Sequence, residues 1–469
     1  MKRTNKRKYR YGRIIAGILV IVTLSFLAGY FVSQSHPVII ANNGVNTISE
    51  IYEILEEKWL NPNEEIDFQQ AAAAGLVSGL NDKYSSYMTT EQTAIFNASM
   101  DGSLIGIGVN FIAIEKGAMI TQVVNNSPAS QTDLKAGDII ISSDGSVLEG
   151  LTAQQMKDLI TGEQGTVAKL QVEYLSIVRE VAITREYIAT ASIASIRQAG
   201  DQTFGYLEIN TFGEETAQEV KDGLELFADN NVTTLVIDLR SNGGGLISAC
   251  SDILNLFVEE GGLIYSIETN DNPLKDYYSS GDVITSFKKG YILINDATAS
   301  AAEILAGSLV DNLGYVTVGD TTFGKGIAQV SVPLTDGATL KYTYAKWYLP
   351  NGSNIQGTGI APAVPVDEGY DFAFNDMALE EDIALDCVDV DSLKPIQLAL
   401  NTLGYQCRDD GYFDQGTLEA INKFQADNEL DKTVGLDNQT YLAVISKSLN
   451  FVSLETNDNI YNKVIELIK

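Results

Sequence analysis

Apolar residues change their spacing several times along the chain, and each spacing predicts a different kind of element. Thr47–Leu60 places apolar residues at helical intervals, and Gln69–Leu80 predicts a second, alanine-rich helix. Residues 103–184 alternate short β-type runs with glycine turns, which is typical of a small β-domain. From about residue 200 to 345, apolar strands alternate with helical stretches in the rhythm of an α/β core. The strands predicted in this core are Thr234–Leu239, Tyr291–Asn295, Val316–Gly319 and Leu340–Tyr348.

The N-terminus combines a basic run with a long apolar run. Residues 1–13 contain seven Lys or Arg and no acid, and Ile14–Val32 follows with nineteen uncharged residues, enough to cross a bilayer as a helix. Basic flanks stay in the cytoplasm, so everything after Ser33 is expected outside the cell. A cleaved signal peptide is the alternative, but its apolar region is usually about 7–15 residues and this run lacks an A-x-A-like site. We therefore expect an uncleaved, single-pass anchor.

The composition limits which partners, metals and catalytic residues this chain can use. The 469 residues carry 31 Lys+Arg against 62 Asp+Glu, and the net charge of −31 argues against nucleic acid as the partner. Three cysteines are too few for a disulfide framework or a Cys-rich zinc site, so no metal or cofactor is expected. The single histidine, His36, follows the apolar run closely, so a hydrolase must find its general base elsewhere.

Residues 103–184 contain a glycine-rich turn suited to a peptide carboxylate. In Gly106-Ile107-Gly108-Val109, successive backbone N–H groups can point into one concavity, and the adjacent strand edge can pair with a peptide. Alone, this pattern is more often a strand bend. Ser127-Pro-Ala and Lys135-Ala-Gly-Asp follow in the order seen in PDZ domains. The segment therefore resembles a PDZ module, which implies binding of an unfolded or exposed C-terminus.

Leu235–Gly245 (LVIDLRSNGGG) is an apolar strand that ends in a polar turn with three glycines. Glycines expose backbone N–H groups without a blocking Cβ, so this turn can supply a donor to an oxyanion. A nucleotide phosphate loop is the competing interpretation, but G-x-G-x-x-G is absent and Arg240 is the only basic residue nearby. A simple bracing of the turn is the alternative role for Arg240 and Asp238.

Tyr291–Ser308 predicts a buried strand, a turn and an alanine-rich helix that Ser300 opens. A serine at that place projects its hydroxyl at the carboxyl edge of the strand, and the N–H of Ala301 faces the oxygen of an attacked carbonyl. The structural alternative is a helix cap, because Ser300 followed by Glu303 forms a capping box. Taken alone, this motif favours the cap, and a partner for Ser300 is needed to decide.

Gly319–Gln329 (GDTTFGKGIAQ) is nearly a Walker A loop. Gly326 stands where Ser or Thr would hold Mg²⁺, and the next residues alternate like a strand where a phosphate site needs a helix, so ATP is rejected. Lys325, between two glycines and beside Phe323, is placed for burial, and documented buried lysines have pKa values of about 5–6. A neutral amine can take a proton from Ser300 and later return it to a leaving amine.

Residues 46–365 resemble the carboxyl-terminal processing peptidases, or tail-specific proteases, of the S41 type. The matched motifs are DKYSSY (82–87), the PDZ segments, FGYLEINTF (204–212), DLRSNGGG (238–245), ASAAEILAGSLVDN (299–312), TFGKGIAQ (322–329) and YTYAKWYLPNGSNIQGTGIAP (342–362). This family implies a serine protease with an embedded PDZ domain and a Ser–Lys pair. Two positions depart from the family pattern, Ala302 for Ser and Ala363 for Asp, and neither removes a group from the chemistry.

The resemblance also implies a role for each site residue. Ser300 would be the nucleophile and Lys325 its base. Gln329 would orient the lysine, and Asp311 falls at a position often grouped with the catalytic residues. The N–H groups of Gly245 and Ala301 would form the oxyanion hole, with Gly244 as the neighbouring candidate.

Residues 389–447 resemble a small, three-helix peptidoglycan-binding domain. The signature is LKPIQLAL (393–400), LGY (403–405), DGYFD (410–414), Thr417 and INKFQ (421–425). The surface near Asp410–Asp414 is the expected ligand contact. Cys387 and Cys407 are equally compatible with a disulfide and with reduced thiols, and Cys250 is expected to pack in the core.

The sequence therefore predicts a multidomain α/β protein with a crotonase/ClpP-like βα core, an inserted PDZ β-domain, an N-terminal helical region, a small all-α C-terminal domain and one N-terminal transmembrane helix. The expected divisions are 1–13 cytoplasmic tail, 14–32 anchor, 46–100 helical region, 103–184 PDZ domain, 185–368 protease core, 369–388 linker, 389–447 peptidoglycan-binding-like domain and 448–469 C-terminal helix.

The expected function is that of a membrane-anchored serine endopeptidase of the cell envelope of a Gram-positive bacterium. Its PDZ domain would recognise the C-termini of substrate proteins, peptidoglycan would be a second partner, and a homo-oligomer is left open. The rival is a non-catalytic PDZ and wall-binding scaffold, which would have tolerated loss of Ser300 or Lys325. A crotonase-like acyl-CoA enzyme is third, but it would need neither an anchor nor a PDZ module.

Overall fold

A computed structural model describes residues 42–60, 67–100, 103–124, 127–189, 191–284, 287–370, 372, 374, 378–379 and 381–469. The predicted basic tail, the predicted anchor Ile14–Val32 and His36 lie outside these residues. Among the helices that the structure does describe, none has the length and apolar character needed to cross a bilayer.

Residues 42–87 form a compact unit of their own. Helices α1 (Asn42–Lys58) and α2 (Phe68–Ser78) confirm the two predicted helices within a few residues. Asp67 caps α2, because its carboxylate accepts hydrogen bonds from two backbone N–H groups of the first turn. The ring of Phe68 meets Tyr52 and Trp59 edge to face. Strand β1 (Ser86–Met88) and helix α3 (Thr90–Met100) follow.

The predicted PDZ segment contains a six-stranded antiparallel sheet and one α-helix. Its elements are β2 (Ser103–Gly106), β3 (Val109–Ile114), β4 (Gly117–Val123), β5 (Ile139–Ser143), β6 (Ser146–Val147), α4 (Ala153–Ile160), β7 (Val167–Tyr174), β8 (Ile177–Thr184) and β9 (Glu186–Ala189). The strand order is β3-β4-β5-β7-β8, with β6 beside β5, and β2 pairs separately with β9. Strand β3 therefore lies at one edge of the sheet.

The α/β core confirms the predicted alternation of strands and helices. Its elements are β10 (Ser192–Ala199), β11 (Gln202–Ile209), α5 (Thr216–Asp229), β12 (Thr234–Asp238), α6 (Ile247–Asn255), β13 (Leu263–Thr269), β14 (Lys275–Tyr278), β15 (Lys289–Ile294), α7 (Ala301–Leu313), β16 (Val316–Gly319), β17 (Ile327–Pro333), β18 (Thr339–Tyr348) and β19 (Val364–Pro365). The main sheet has the order β10-β11-β12-β15-β16-β19, and every neighbouring pair from β11 onward is parallel.

Both faces of the main sheet are covered, as expected for parallel strands. Leu235 and Ile237 of β12 point to a cluster that contains residues of α5, α6 and α7. Val236, between them, points to the opposite face. Strands β17, β18, β13 and β14 pair antiparallel in a second sheet. Cys250 is fully buried in the larger cluster, which confirms its predicted packing role.

The C-terminal unit consists of α8 (Leu393–Thr402), α9 (Gln415–Asp427), α10 (Asn438–Ser453) and α11 (Asn459–Ile468). Helix α10 runs through residue 447, where a domain boundary was predicted, so the terminal helix proper is α11. Residues of α11 fill the second face of the main sheet, against Val236, Leu293 and Val318. Cys387 and Cys407 are both free thiols in the structure.

The PDZ sheet packs on both of its faces. Ala118 and Ile120 of β4 face the cluster around α4, whereas Met119 between them belongs to the cluster built by α8, α9 and α10. A Cβ atom on Gly137 would lie 2.0 Å from the backbone oxygen of Ser446 on α10. The C-terminal helices therefore cover the PDZ sheet directly.

This close approach predicts that Gly137→Ala loosens the packing of α10 on the PDZ domain. Gly145→Ala is the matched control, because both glycines have φ above +80° but a Cβ at Gly145 would meet nothing within 4 Å. The control is expected to lose about 1–2 kcal/mol from backbone strain alone. Gly137→Ala is expected to lose about 1–3 kcal/mol more, measured by denaturant unfolding. Equal losses in the two variants would contradict the contact.

Candidate active site

Three turns meet at one edge of the main sheet. Strands β12, β15 and β16 are parallel neighbours, so their carboxyl ends lie side by side. The glycine turn follows β12, Ser300 follows β15, and the lysine loop 320–326 follows β16. In open α/β sheets this edge is the usual place for a ligand site. The three sequence motifs are thus brought together by the strand order.

Ser300 occupies a tight turn between β15 and α7. Its backbone has φ 58° and ψ −117°, and the helix begins at the next residue, Ala301. A non-glycine residue in such a region costs on the order of 1–3 kcal/mol and persists only where neighbours fix it. Here the N–H of Ala299 donates to the backbone oxygen of Asn242 at 2.9 Å. The side chain lies at the helix N-terminus with only 9% of its surface exposed.

Glu303 connects the serine turn to the lysine loop. The carboxylate is fully buried and accepts four hydrogen bonds. One oxygen accepts from Thr322 Oγ1 at 2.5 Å and from Gly324 N at 2.7 Å. The other accepts from Ser300 N at 2.8 Å and from Lys325 N at 2.9 Å. Because this second oxygen binds both backbone nitrogens, the distance between Ser300 N and Lys325 N is at most the sum of the last two distances.

The capping pattern and the nucleophile pattern are consequently not exclusive. Glu303 does accept from the N–H of Ser300, as the carboxylate of a capping box does. The same carboxylate also fixes Lys325 beside that serine. Sequence reasoning identified the capping box but missed this second role, because the loop partners are about twenty residues away.

Lys325 is half-buried, as its glycine neighbours predicted. Burial lowers the pKa of its ammonium below the usual value, the positive charge of Lys341 adds to the decrease, and the negative Glu303 acts in the opposite direction. The backbone oxygen of Lys325 accepts from the indole N–H of the fully buried Trp347 at 3.0 Å. A lysine in this environment is well suited to act as a neutral base.

The two candidate glycines of the oxyanion hole have different surroundings. The N–H of Gly244 donates to Asn242 Oδ1 at 2.8 Å, which leaves Gly245 as the better donor to a substrate. A Cβ atom on Gly244 would lie 2.8 Å from the Cβ of Ser300 and 3.0 Å from the N of Ala301. Glycine at 244 therefore keeps open the space directly in front of the serine.

Two predicted residues lie on elements outside the three turns. Gln329 is in β17, and its amide donates to Thr343 Oγ1 on β18 at 3.5 Å. The exposed Asp311 lies eleven residues after Ser300 in the same helix, a separation of about 16 Å at the usual helical rise. Its carboxylate accepts from the backbone and side-chain nitrogens of Asn351, both at 3.1 Å. The structure does not bring Asp311 to the serine turn.

The predicted peptide-binding turn of the PDZ domain forms where the sequence placed it. Gly108 has φ 88°, and Val109 opens the edge strand β3. The backbone oxygen of Gly108 accepts from Ser127 Oγ at 3.1 Å, and that of Ile107 accepts from the N–H of Ala129 at 2.8 Å. The Gly106–Val109 turn and the Ser-Pro-Ala segment are thus held together. Gly106 ends β2.

Three segments of the chain match models of protein families. Residues 203–366 match the model described as Peptidase family S41. Residues 106–183 match the model of the PDZ domain, and residues 390–443 match that of the "Putative peptidoglycan binding domain". The S41 segment contains the three turns, the PDZ segment contains the Gly106–Val109 turn, and the third segment contains helices α8 and α9.

The chain is similar along nearly its whole length to curated bacterial proteins. A "Probable CtpA-like serine protease" of Staphylococcus haemolyticus (strain JCSC1435) is 29% identical over 94% of this chain and 89% of that protein. One of Staphylococcus aureus (strain bovine RF122 / ET3-1) is 28% identical over 100% of this chain and 94% of that protein. A solved photosystem II D1 C-terminal processing protease is 26% identical, with a TM-score of 0.44, over 68% of this chain and 86% of that chain.

The four hydrogen bonds of Glu303 predict a large effect of Glu303→Gln. An amide has one acceptor oxygen, so its NH₂ group would face two of the four donors. Each unpaired buried donor costs about 1–3 kcal/mol, and the free energy of unfolding is expected to fall by about 2–5 kcal/mol. Reaction of Ser300 with a serine-directed fluorophosphonate should slow in parallel.

The matched control for this variant is Asp320→Asn. Asp320 is an exposed carboxylate in the same loop, and among the described residues it accepts only from the adjacent N–H of Thr321. Its loss is expected to change the free energy of unfolding by about 0.5 kcal/mol or less. If Glu303→Gln were as stable and as reactive as Asp320→Asn, the connection between the two loops would not depend on this carboxylate.

Proposed function

We propose that this chain is a membrane-anchored serine endopeptidase of family S41 in the bacterial cell envelope, with Ser300 as nucleophile and Lys325 as base. The matched family model and the CtpA-like relatives support the peptidase class. The observation that carries this proposal is the shared carboxylate of Glu303, which accepts from the backbone N–H groups of both residues. The lowered pKa of Lys325 supports it further, because a base must be neutral when it accepts a proton.

The chemistry proceeds by acyl transfer in two steps. Neutral Lys325 takes the proton of the Ser300 hydroxyl as Oγ attacks the substrate carbonyl carbon, and the carbonyl oxygen becomes an oxyanion. The N–H groups of Ala301 and Gly245 stabilise that oxyanion. The lysine then gives its proton to the leaving amine as the peptide C–N bond breaks. In the second step Lys325 takes a proton from a water whose oxygen attacks the acyl ester, and it returns that proton to Ser300 Oγ as the ester C–O bond breaks.

Gln329 completes this proposed site as an orienting residue for Lys325. Its place on β17, directly after the lysine loop, supports that role. No chemical step is assigned to Asp311, whose carboxylate binds Asn351. The βα arrangement of the core, in which helices follow β11, β12 and β15, supports a fold of the crotonase/ClpP-like type.

The PDZ domain is proposed to capture the C-termini of substrate proteins. Two features support this function: the edge position of β3, where a peptide could add as a further strand, and the Gly106–Val109 turn at its beginning, where a carboxylate could meet backbone N–H groups. The basic and apolar N-terminal runs support the proposed extracytoplasmic location. Peptidoglycan is the proposed partner of residues 389–447, on the strength of the matched domain model.

Loss of the nucleophile provides the direct test of the proposed chemistry. The full-length protein in detergent is expected to cleave an unfolded protein with an apolar C-terminus, and Ser300→Ala should reduce the rate by about 10³-fold or more. Amidation of the substrate C-terminus should raise KM with little change in kcat, because the carboxylate is used for binding. A wild-type protein that neither cleaves nor reacts with a fluorophosphonate would favour the non-catalytic scaffold.

The neighbours of Lys325 predict the direction of a pH effect. Activity needs the neutral amine, so it should fall as the pH falls through the pKa of Lys325. Replacing Lys341 by Met removes a positive charge that lowers this pKa. The acid limb of the rate profile should therefore move to higher pH, measured as kcat/KM against pH.

Lys346→Met is the matched control for this effect. Lys346 lies on the same strand as Lys341 and is exposed, but its charge, unlike that of Lys341, does not contribute to the lowered pKa of Lys325. The Lys346→Met variant removes the same formal charge as Lys341→Met, so the comparison corrects for the change in net charge. A shift of the acid limb equal in both variants, or a shift to lower pH in Lys341→Met, would contradict Lys325 as the base.

A further inference from the structure

Arg240, in the glycine turn, is bound by carboxylates from two distant parts of the chain. Its Nε and Nη2 donate to the two oxygens of Asp238, at 2.9 and 2.6 Å. Its Nη1 donates to both oxygens of Asp458, at 2.8 and 2.7 Å. Asp238 ends strand β12, whereas Asp458 precedes the terminal helix α11. The guanidinium therefore joins the C-terminal segment to the turn that carries Gly245.

This triad is shielded from solvent, so its charges interact more strongly than those of surface pairs. The side chains of Asp238, Arg240 and Asp458 are 8%, 19% and 20% exposed. Tyr206 donates its hydroxyl to Asp238 at 2.5 Å. Burial would raise the pKa of Asp238, but the Arg240 guanidinium outweighs it and holds that pKa below its usual value.

Asp458 is itself held in place by the terminal helix. Its carboxylate caps α11 by accepting from the N–H of Tyr461 at 2.9 Å. The residues of α11 that pack on the main sheet are Ile460, Tyr461, Val464 and Ile468. Because a buried helix face fixes this cap, Asp458 presents its charge to Arg240 from a defined position.

The glycine turn depends on such contacts for its conformation. Ser241 has φ 57°, and its N–H donates to Asn295 Oδ1 at 2.9 Å. Asn242 donates to the backbone oxygen of Ile209 at 2.7 Å and accepts from Gly244. The next residues are glycines, which restrict the backbone least. Polar contacts of Arg240, Ser241 and Asn242 therefore set where the N–H of Gly245 points.

We propose that Asp458 is a positioning residue for the oxyanion hole, which it fixes through Arg240 and the glycine turn. This inference rests on the proposed function, since it concerns the donor that Gly245 supplies there. The segment after the peptidoglycan-binding-like domain is accordingly part of the active-site framework. Since helix α10 leads directly into it, the C-terminal domain is attached to the catalytic edge of the sheet at this point.

A second ion pair provides a matched control. Arg197 on β10 donates to Glu455, three residues before Asp458, at 2.9 Å. This pair also joins the C-terminal segment to the main sheet. However, β10 is the far edge strand of that sheet and carries none of the three turns. Loss of Glu455 should therefore affect the attachment of the segment without affecting the oxyanion donor.

The test compares Asp458→Asn and Asp458→Ser with Glu455→Gln in the full-length protein. Asn and Ser cap a helix about as well as Asp, so both variants keep the cap of α11 and remove the charge that binds Arg240. We expect kcat to fall about 10-fold to 100-fold in the Asp458 variants with KM nearly unchanged, because a misplaced oxyanion donor weakens only the transition state. Glu455→Gln should keep kcat within about 2-fold of wild type, which is the change expected for a surface pair.

Active sites are counted in each preparation by fluorophosphonate titration, so that kcat refers to folded, reactive protein only. A merely structural role for Asp458 would lower the number of titrated sites or the melting temperature while leaving kcat per site at the wild-type value. That result, or equal losses of kcat in the Asp458 variants and Glu455→Gln, would overturn the inference. If Ser300→Ala retained wild-type activity, the proposed function itself would fail, and this outcome is independent of Asp458.

Discussion

The fully buried carboxylate of Glu303 is the interaction on which the arrangement of the site depends. The serine turn and the lysine loop follow different strands, and backbone N–H groups at the start of a helix or in a glycine loop have no partner of their own. One side chain satisfies donors from both segments. Ser300, in a strained backbone conformation, and the half-buried Lys325 can therefore persist side by side.

The parallel sheet supplies the second constraint. Because β12, β15 and β16 are adjacent and point the same way, the turn 239–245, the serine turn and the lysine loop all lie at one edge of the sheet. The antiparallel PDZ sheet differs in having an edge strand, β3, that begins at the Gly106–Val109 turn, a combination suited to an extended peptide. The C-terminal helices contact both the PDZ sheet and the main sheet, so they support the PDZ domain and the α/β core together.

Much of this could be predicted from local sequence patterns. The runs of apolar residues and the turn residues that follow them predicted strands β12, β15 and β16. Because the sequence contains a single histidine, Ser300 and Lys325 were the candidate nucleophile and base. Contacts between distant residues could not be predicted in this way: Arg240 and Asp458 are 218 positions apart. The choice between Gly244 and Gly245 depends on the side chain of Asn242. The family pattern grouped Asp311 with the catalytic residues, but the rise along helix α7 places it about 16 Å from Ser300.

The two-sided packing of strand β4 has a consequence for how the protein can be divided. Met119 and Ile139 are buried only because the C-terminal helices cover them. A fragment that ends after residue 368 would expose this apolar face to water beside an open strand edge, a combination that promotes self-association. The PDZ sheet is thus packed between its own helix and the C-terminal domain. The isolated PDZ domain would be less soluble, because it would expose an apolar face that is buried in the intact chain.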